Sequence, residues 1–351
     1  MHVLVTGGAG FVGSALVAQL KKKGHKVRAF LRRQETALNL DGLEVEIFIG
    51  NLLDKEKVAL AVKGIDVIFH TAAIYKGYPF YIRYPKEIYE TNIEGTRNLL
   101  DAALQVGVKK VIYTSSTAAI GKRKDGLPAD ESVKLNFLKQ RSHYERSKAL
   151  AEELALSYHA RGLDIVSINS SFLFGPQDLR PTPTGEMVVK FLNRSYPCYF
   201  DAVLCVSAVD MVVDAHIKAM ESGRSGERYI VANARHYTLK EVFDMLEKIS
   251  GIKVPRIKLP IPLLMVFSMV NELFIGLFGL TDKVRPLIAT EILRYFRLKA
   301  MYDGSKALKD FGLTEKPFEE TLAAAVKWYM LNGYVRKSSK IAYFKKLGKL
   351  K

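Results

Sequence analysis

The opening of the chain leaves few ways to begin folding. An apolar run over residues 2–6 ends at Thr6, glycines follow at positions 7, 10 and 13, and a helix-like segment occupies 12–23. A strand that breaks at glycines and opens directly into a helix is a seat for phosphate. The glycines let the backbone approach a pyrophosphate, and the helix N-terminus adds free N–H groups with partial positive charge. A tight turn without a ligand is the alternative. The strand–turn–helix context and a second apolar run at 26–31 argue against it.

Apolar runs then alternate with helical patterns. Strands are expected at 2–6, 26–31, 45–49, 67–70, 110–114 and 164–169, and helices at 12–23, 55–62, 85–106 and 143–161. That order predicts an α/β fold, a doubly wound parallel sheet with helices on both faces. Past residue 170 the pattern changes to proline-rich turns (Gly175-Pro176 and Pro181 to Gly185) and mostly helical segments. The expected organisation is a nucleotide-binding domain over 1–170 and a smaller, mostly helical substrate lobe over 171–333. Some segments of that lobe return to the sheet, and a basic tail follows over 334–351.

Two cysteines, Cys198 and Cys205, exclude a disulfide scaffold and fit a reducing compartment. The seven histidines are scattered without a pair at metal-ligand spacing, so no metal site is expected. The N-terminus enters the first strand at once, which predicts no secretory leader and a cytoplasmic protein. The net charge of +17, much of it from the tail Val335 to Lys351, leaves nucleic acid, anionic lipid and mere solubility as explanations. No nucleic-acid recognition motif accompanies the charge, so nucleic acid is not expected as a partner.

Tyr144 and Lys148 form a Tyr-x-x-x-Lys pair on the helix expected at 143–161, which sets them one turn apart on one face. A neighbouring ammonium favours phenolate and would lower the phenol's pKa, so that it could exchange a proton with a substrate oxygen near neutral pH. The lysine can also bond a ribose. Residues 111–121 read as a central strand ending in hydroxyls, at the edge where ligands bind in such sheets. Thr114, Ser115 and Thr117 are expected to bond free backbone groups there. The second strand ends Leu31-Arg32-Arg33, with no carboxylate to bond a ribose diol. Two guanidinium groups favour a 2′-phosphate, hence NADP over NAD, unless both arginines point to solvent.

The Thr-Gly-Gly-Ala-Gly-Phe-Val-Gly loop (6–13), the Thr-Ser-Ser-Thr-Ala-Ala-Ile-Gly strand end (114–121) and the Tyr-Glu-Arg-Ser-Lys helix (144–148) resemble the extended short-chain dehydrogenase/reductase superfamily, the NAD-dependent epimerase/dehydratase family, with a Rossmann-type sheet. The resemblance spans residues 1 to about 333. It is closest to the dihydroflavonol-reductase-like branch and, through Gly175-Pro176-Gln177-Asp178 and 181–185, to the hopanoid-associated sugar epimerases. It implies Ser116, five residues before Gly121, as the catalytic serine, Tyr144 as acid/base, and Lys148 as pKa tuner and ribose ligand. Gly7, Gly10, Phe11, Val12, Gly13, Asn51, Leu52, Thr71, Ala72, Ala73 and Ser171 would line the cofactor. Helices 85–106 and 143–161 would form a homodimer seam. Three positions depart from the family pattern: Asn51 replaces an aspartate, Asn169-Ser170-Ser171 replaces a segment with a proline, and Val209 precedes Asp210 where two acids are common. Thr117-Ala118 after Ser116, in place of Asp-Glu, argues against a 4,6-dehydratase.

Two segments invite a membrane. Residues 259–280 are almost wholly apolar, and a helix there would gather Ser268, Asn271, Glu272 and Gly276 mostly in one narrow stripe. Glu272, Pro260 and Pro262 argue against a span. A helix lying on a bilayer, a dimer contact or a buried lobe helix are the readings left. In the tail, Ile341, Tyr343, Phe344, Leu347 and Leu350 are expected on one helical side and Lys345, Lys346 and Lys349 on the other, as in a helix lying on an anionic surface; a disordered solubilising tail is the alternative. The expected function is an NADP-dependent oxidoreductase acting on a secondary alcohol or ketone, lipid-like or isoprenoid in character. The protein would be cytoplasmic or peripheral on the inner face of a membrane. The alternatives are a nucleotide-sugar epimerase with tightly bound NAD and a non-catalytic cofactor-binding module on a membrane.

Overall fold

Each apolar run expected as a strand in the first half forms one. In the computed structural model, which describes residues 1–33, 38–75, 85–136, 142–278 and 288–348, the order is β1 (His2–Thr6), α1 (Phe11–Lys22), β2 (Lys26–Leu31), β3 (Glu46–Ile49), α2 (Lys55–Val62), β4 (Val67–His70), α3 (Lys86–Tyr89), α4 (Gly95–Val106), β5 (Lys110–Ser116), α5 (His143–Ser157) and β6 (Ile165–Ser170). Next come β7 (Phe172–Phe174), α6 (Pro183–Leu192), β8 (Cys198–Tyr199), β9 (Val203–Ala208), α7 (Val209–Ser222), β10 (Arg228–Val231), β11 (His236–Thr238), α8 (Leu239–Ser250) and β12 (Ile257–Lys258). The described part of the chain closes with α9 (Ile261–Leu277), α10 (Thr290–Arg297), α11 (Ser305–Phe311), α12 (Phe318–Leu331) and α13 (Lys337–Lys346).

Seven strands pair in parallel in the order β10-β6-β5-β4-β1-β2-β3. The chain winds outward from β1 to β3, crosses back to β4 beside β1, and winds the other way. The order therefore reverses at β1/β4, where a crevice opens beyond the strand ends. Alternation along β1 sends Val3 and Val5 to one face, against α1 and α7, and Leu4 to the other, among residues of α2 and α4. The helical C-terminal region builds its own core around Phe243, Leu246, Leu322 and Tyr329, with small sheets β11-β9-β7 and β12-β8. Strand β10 and helices α7 and α11 lie with the large sheet.

Local chemistry sets the helix starts. Ser142 and Glu145 form a reciprocal capping box on α5, with bonds of 3.0 and 2.8 Å, so the helix carrying Tyr144 begins at a fixed residue. The helix expected over 85–106 is interrupted by a π-helical turn at Glu90–Glu94 between α3 and α4. Asn92 in that turn uses its side chain elsewhere: Oδ1 accepts from the Ile74 amide (2.8 Å), and Nδ2 donates to the Ile74 carbonyl (3.1 Å) and to Ser147 Oγ (3.0 Å). One extra residue in the turn thereby ties the loop after β4 to α5.

The tail corrects its sequence reading. Tyr343 is buried against the lobe with Phe344 beside it, whereas Ile341 and Leu347 are exposed. At about 100° per residue Ile341 and Tyr343 lie nearly opposite each other, so α13 offers no single apolar side to a membrane. Lys349 and Leu350, and 279–280 of the apolar stretch, lie outside the described residues.

Candidate active site

The glycine loop is shaped by sterics. Gly7 stands at φ +68°, and a Cβ there would sit 2.8 Å from the Ala72 backbone. The Gly7 amide donates to the Phe30 carbonyl (3.0 Å), and Gly10 donates to the Gly7 carbonyl (2.8 Å), which closes the turn. A Cβ on Gly13 would lie 2.2 Å from the Gly7 oxygen and 2.8 Å from Thr71 Oγ1, so only glycine lets α1 start this close to β1 and β4. Gly10 is the N-cap of α1 and brings no side chain to its free N–H groups, and the first turn carries no acid. The cradle fits a pyrophosphate by donor set and charge. Thr71 and Ala72 form its opposite wall, Thr71 Oγ1 donating to the Thr6 carbonyl at 2.7 Å. Ala73 is exposed beside them, Phe11 is half-buried near Gly175, and Val12 turns into the core.

Other residues expected at the cofactor fall into two groups. Arg32 and Arg33 are exposed just past the end of β2, the edge on which the cradle opens. Asn51 is exposed, and its Oδ1 accepts from the Leu53 amide (3.1 Å). Leu52 is a core residue packed on Gly95. Ser171 is buried, and its hydroxyl is engaged with Ser207 Oγ at 2.6 Å in the seam between the two sheets.

Ser116, Tyr144 and Lys148 come together at the C-terminal end of β5. Ser116 is the last residue of the strand; its Oγ accepts from the Ala118 amide (3.2 Å) and lies by the Tyr144 phenol. Lys148, one turn along α5 and buried, donates from Nζ to the Thr114 carbonyl (2.8 Å) and to the Tyr113 hydroxyl (3.1 Å). The electrostatics correct the sequence reading of this pair. Burial pushes the Tyr144 phenol up to about 12, and the hydrogen bond from Ser116, rather than the lysine, is what opposes the rise. Burial likewise lowers the Lys148 ammonium to about 8, against which the Glu152 carboxylate works. The reason is directional: the ammonium is aimed at the strand end, so it stabilises β5 rather than the phenolate. Thr114 also departs from expectation, since its hydroxyl meets His216 Nε2 (2.7 Å) rather than free backbone. Ser115 Oγ is buried with no partner among the described residues.

Four residues that the sequence reading assigned no role in the site, Glu152, Ser167, Asn169 and Arg228, hold this arrangement from behind. Glu152 is fully buried, four residues past Lys148 on the same face of α5. Its Oε1 accepts from Ser167 Oγ and from Asn169 Nδ2, both at 2.6 Å, and its Oε2 lies 3.2 Å from the Arg228 guanidinium. Asn169 also donates to the Ser116 carbonyl (3.2 Å), so the network reaches the strand end that carries the serine. The available signal was a carboxylate placed among alanines on the buried face of an amphipathic helix. Over the crevice, Tyr75 meets the Tyr144 ring edge-on at 4.8 Å. Tyr295 and Phe296 of α10 pack on Phe172, with centroids 5.5 and 5.8 Å away. The site is a polar floor with Tyr75 against the phenol, able to bind a dinucleotide along the glycine loop and to exchange a proton at one substrate oxygen.

Comparison with known proteins agrees with this geometry. Residues 3–232 match the model of the NAD dependent epimerase/dehydratase family. A protein of Synechocystis sp. named after dihydroflavonol 4-reductase is 34% identical over 336 residues, 95% of each chain. Sterol demethylase protein B of Methylococcus capsulatus is 30% identical over 337 residues, 95% of this chain and all (100%) of that one. Among solved structures, that of gox2253 superposes with a TM-score of 0.81 at 35% identity, covering 95% of this chain and 99% of the other. The UDP-glucose 4-epimerase of Thermotoga maritima shares the fold, with a TM-score of 0.74 at 24% identity over 94% and 98% of the two chains. From the glycine cradle to the serine–tyrosine–lysine floor, this chain belongs to the NAD dependent epimerase/dehydratase family, the extended short-chain dehydrogenases/reductases that bind NAD(P).

Proposed function

We propose that the protein is an NADP-dependent oxidoreductase that interconverts a secondary alcohol and a ketone on a lipid-like substrate. The observation that carries the reading is the convergence of Ser116, the last residue of β5, with Tyr144 and Lys148 of α5 at the sheet edge on which the glycine cradle opens. Nicotinamide, when bound, supplies the hydride donor or acceptor. Tyr144, neutral at physiological pH, gives its proton to the substrate oxygen in reduction and recovers it in oxidation. Ser116 donates a second hydrogen bond to that oxygen as charge develops on it. Lys148 anchors the end of β5 and would hold a ribose hydroxyl of the bound cofactor. Arg32 and Arg33 would meet a 2′-phosphate. An aromatic cluster of Phe172, Tyr295 and Phe296 in the adjoining lobe suits an apolar ring system. The names of two relatives, sterol demethylase protein B and the 3-beta-hydroxysteroid dehydrogenase of Mycolicibacterium neoaurum, point to the same class. Helices α4 and α5 keep Val106 and Leu150 exposed, as a homodimer seam there would require.

The test is NADPH oxidation with a 3-ketosteroid, and the reverse reaction with its alcohol, on the purified full chain. Tyr144→Phe is expected to lower turnover by about 10²–10⁴-fold with the fold intact; full turnover in that variant ends the reading. The second reading is a nucleotide-sugar epimerase, in line with the likeness to hopanoid-associated sugar epimerases and with the shared fold of a UDP-glucose 4-epimerase. NAD that co-purifies, with no net reduction of any ketone, would favour it. The complete serine, tyrosine and lysine set counts against a non-catalytic module.

A further inference from the structure

Helix α9 is built inside out. It runs 17 residues, Ile261–Leu277, and its buried positions include Ser268 and Glu272. Both polar groups are used within the protein. Ser268 Oγ donates to the Ile288 carbonyl at 2.7 Å, and Glu272 Oε1 accepts from the Thr290 amide at 2.7 Å, the first N–H of α10. Glu272 therefore serves as the missing cap of α10, whose N-cap Ala289 has no side chain to do so. With its polar stripe spent inward, the helix turns its large apolar side chains outward. Leu263, Val266, Phe267, Val270, Leu273, Phe274, Leu277 and Phe278 form one continuous strip, from 46% exposed at Leu273 to 83% at Leu277. Single exposed leucines are ordinary on a protein surface; an unbroken strip with two turns of aromatic side chains is not.

We infer that this face of α9 lies in the headgroup–acyl boundary of an anionic bilayer, parallel to its surface. Among the described residues no helix is long and apolar enough to cross a membrane, and α9 is held along its inner side by Ser268 and Glu272, so it rests on a bilayer rather than spanning one. The charge around it selects the occupant. Arg256 precedes the helix, and Arg294, Arg297 and Lys299 lie on or just after α10, which packs against it. None of the four forms an ion pair among the described residues. A second copy of a +17 chain would bring like charges together at this rim, whereas anionic headgroups complement them.

The seat does not depend on the reaction proposed above, so it is measured without turnover. The purified full chain is floated with vesicles of phosphatidylcholine alone and with phosphatidylglycerol added. Wild type should bind the anionic vesicles, more weakly at high salt and more weakly to the neutral ones. Phe267→Gln/Phe274→Gln should bind about a hundredfold more weakly while melting as wild type, since both rings point outward. Arg294→Gln and Arg297→Gln should each cost about fivefold on anionic vesicles only. Wild type that stays off both vesicle types at low salt, or a double variant that floats undiminished, overturns the inference. So does a lipid-free dimer that the double variant abolishes while wild type ignores vesicles, which would make the strip a contact between copies.

Discussion

Gly10 and Gly13 sit three residues apart in one loop, yet the geometry assigns them different jobs, and alanine at each separates the two. At Gly13 a Cβ would lie 2.2 Å from the Gly7 oxygen, where ordinary contact begins near 3.4 Å. Helix α1 must withdraw by about 1 Å from the strand ends it packs on. Overpacking of that kind costs about 1–3 kcal/mol, more than the gain of up to about 1 kcal/mol that alanine brings to a helix over glycine. Over 351 residues, unfolding entropy of about 2.1 cal/mol/K per residue is about 0.7 kcal/mol/K in all, so Gly13→Ala should lower the melting midpoint by about 1–4 °C. At Gly10 the added Cβ meets only the Gly7 oxygen, at 3.2 Å. Stability should fall by less than about 1 kcal/mol, the scale of an N-cap change. That methyl group stands at the mouth of the anion seat, so NADPH affinity should fall by about tenfold or more, as it should in Gly13→Ala through the displaced helix. Urea unfolding of the cofactor-free protein and calorimetric titration with NADPH measure the two effects separately. Equal stability losses in the two variants would overturn the steric role of Gly13, and NADPH affinity untouched in Gly10→Ala would show that the cradle is not the dinucleotide seat.

Two further outcomes follow from the charges. Lys148 loses its proton near pH 8, and the Glu152 carboxylate opposes that loss, so kcat/KM should fall as pH rises through about 8; in Glu152→Gln the same limb should move to lower pH, and an unmoved limb would detach Glu152 from the reaction. Replacing both Arg32 and Arg33 with alanine should weaken NADPH binding by at least about tenfold while leaving NADH nearly unchanged, and a wild-type protein that prefers NADH in a titration would overturn the arginine argument.

Much of the first half was readable because its signals are local. The six strands at the start of the chain carry their pattern within five or six residues, and the glycine loop declares itself through residues that no longer side chain could replace. Tyr144 and Lys148 were readable for the same reason, being one helical turn apart on a segment that Ser142 and Glu145 start at a defined residue. The direction in which Lys148 points was not readable. It depends on a carbonyl of β5, and the sequence pairing alone led to a lowered phenol where burial raises it. Asn92 was hidden inside what reads as one helix, because only the contact with Ile74 and Ser147 makes the π turn favourable.

The order of residues determines strands, helix faces and the opening cradle, since each depends on neighbours a few bonds away. Folding alone decides that Glu152 of α5 meets Asn169 of β6 and Arg228 of β10, because the sheet order sets those strands side by side. It also decides which side of α9 is the inside. Amphipathicity locates a stripe but carries no sign, and the burial of Ser268 and Glu272 against Ile288 and Thr290 is what turns the apolar side of that helix to the exterior.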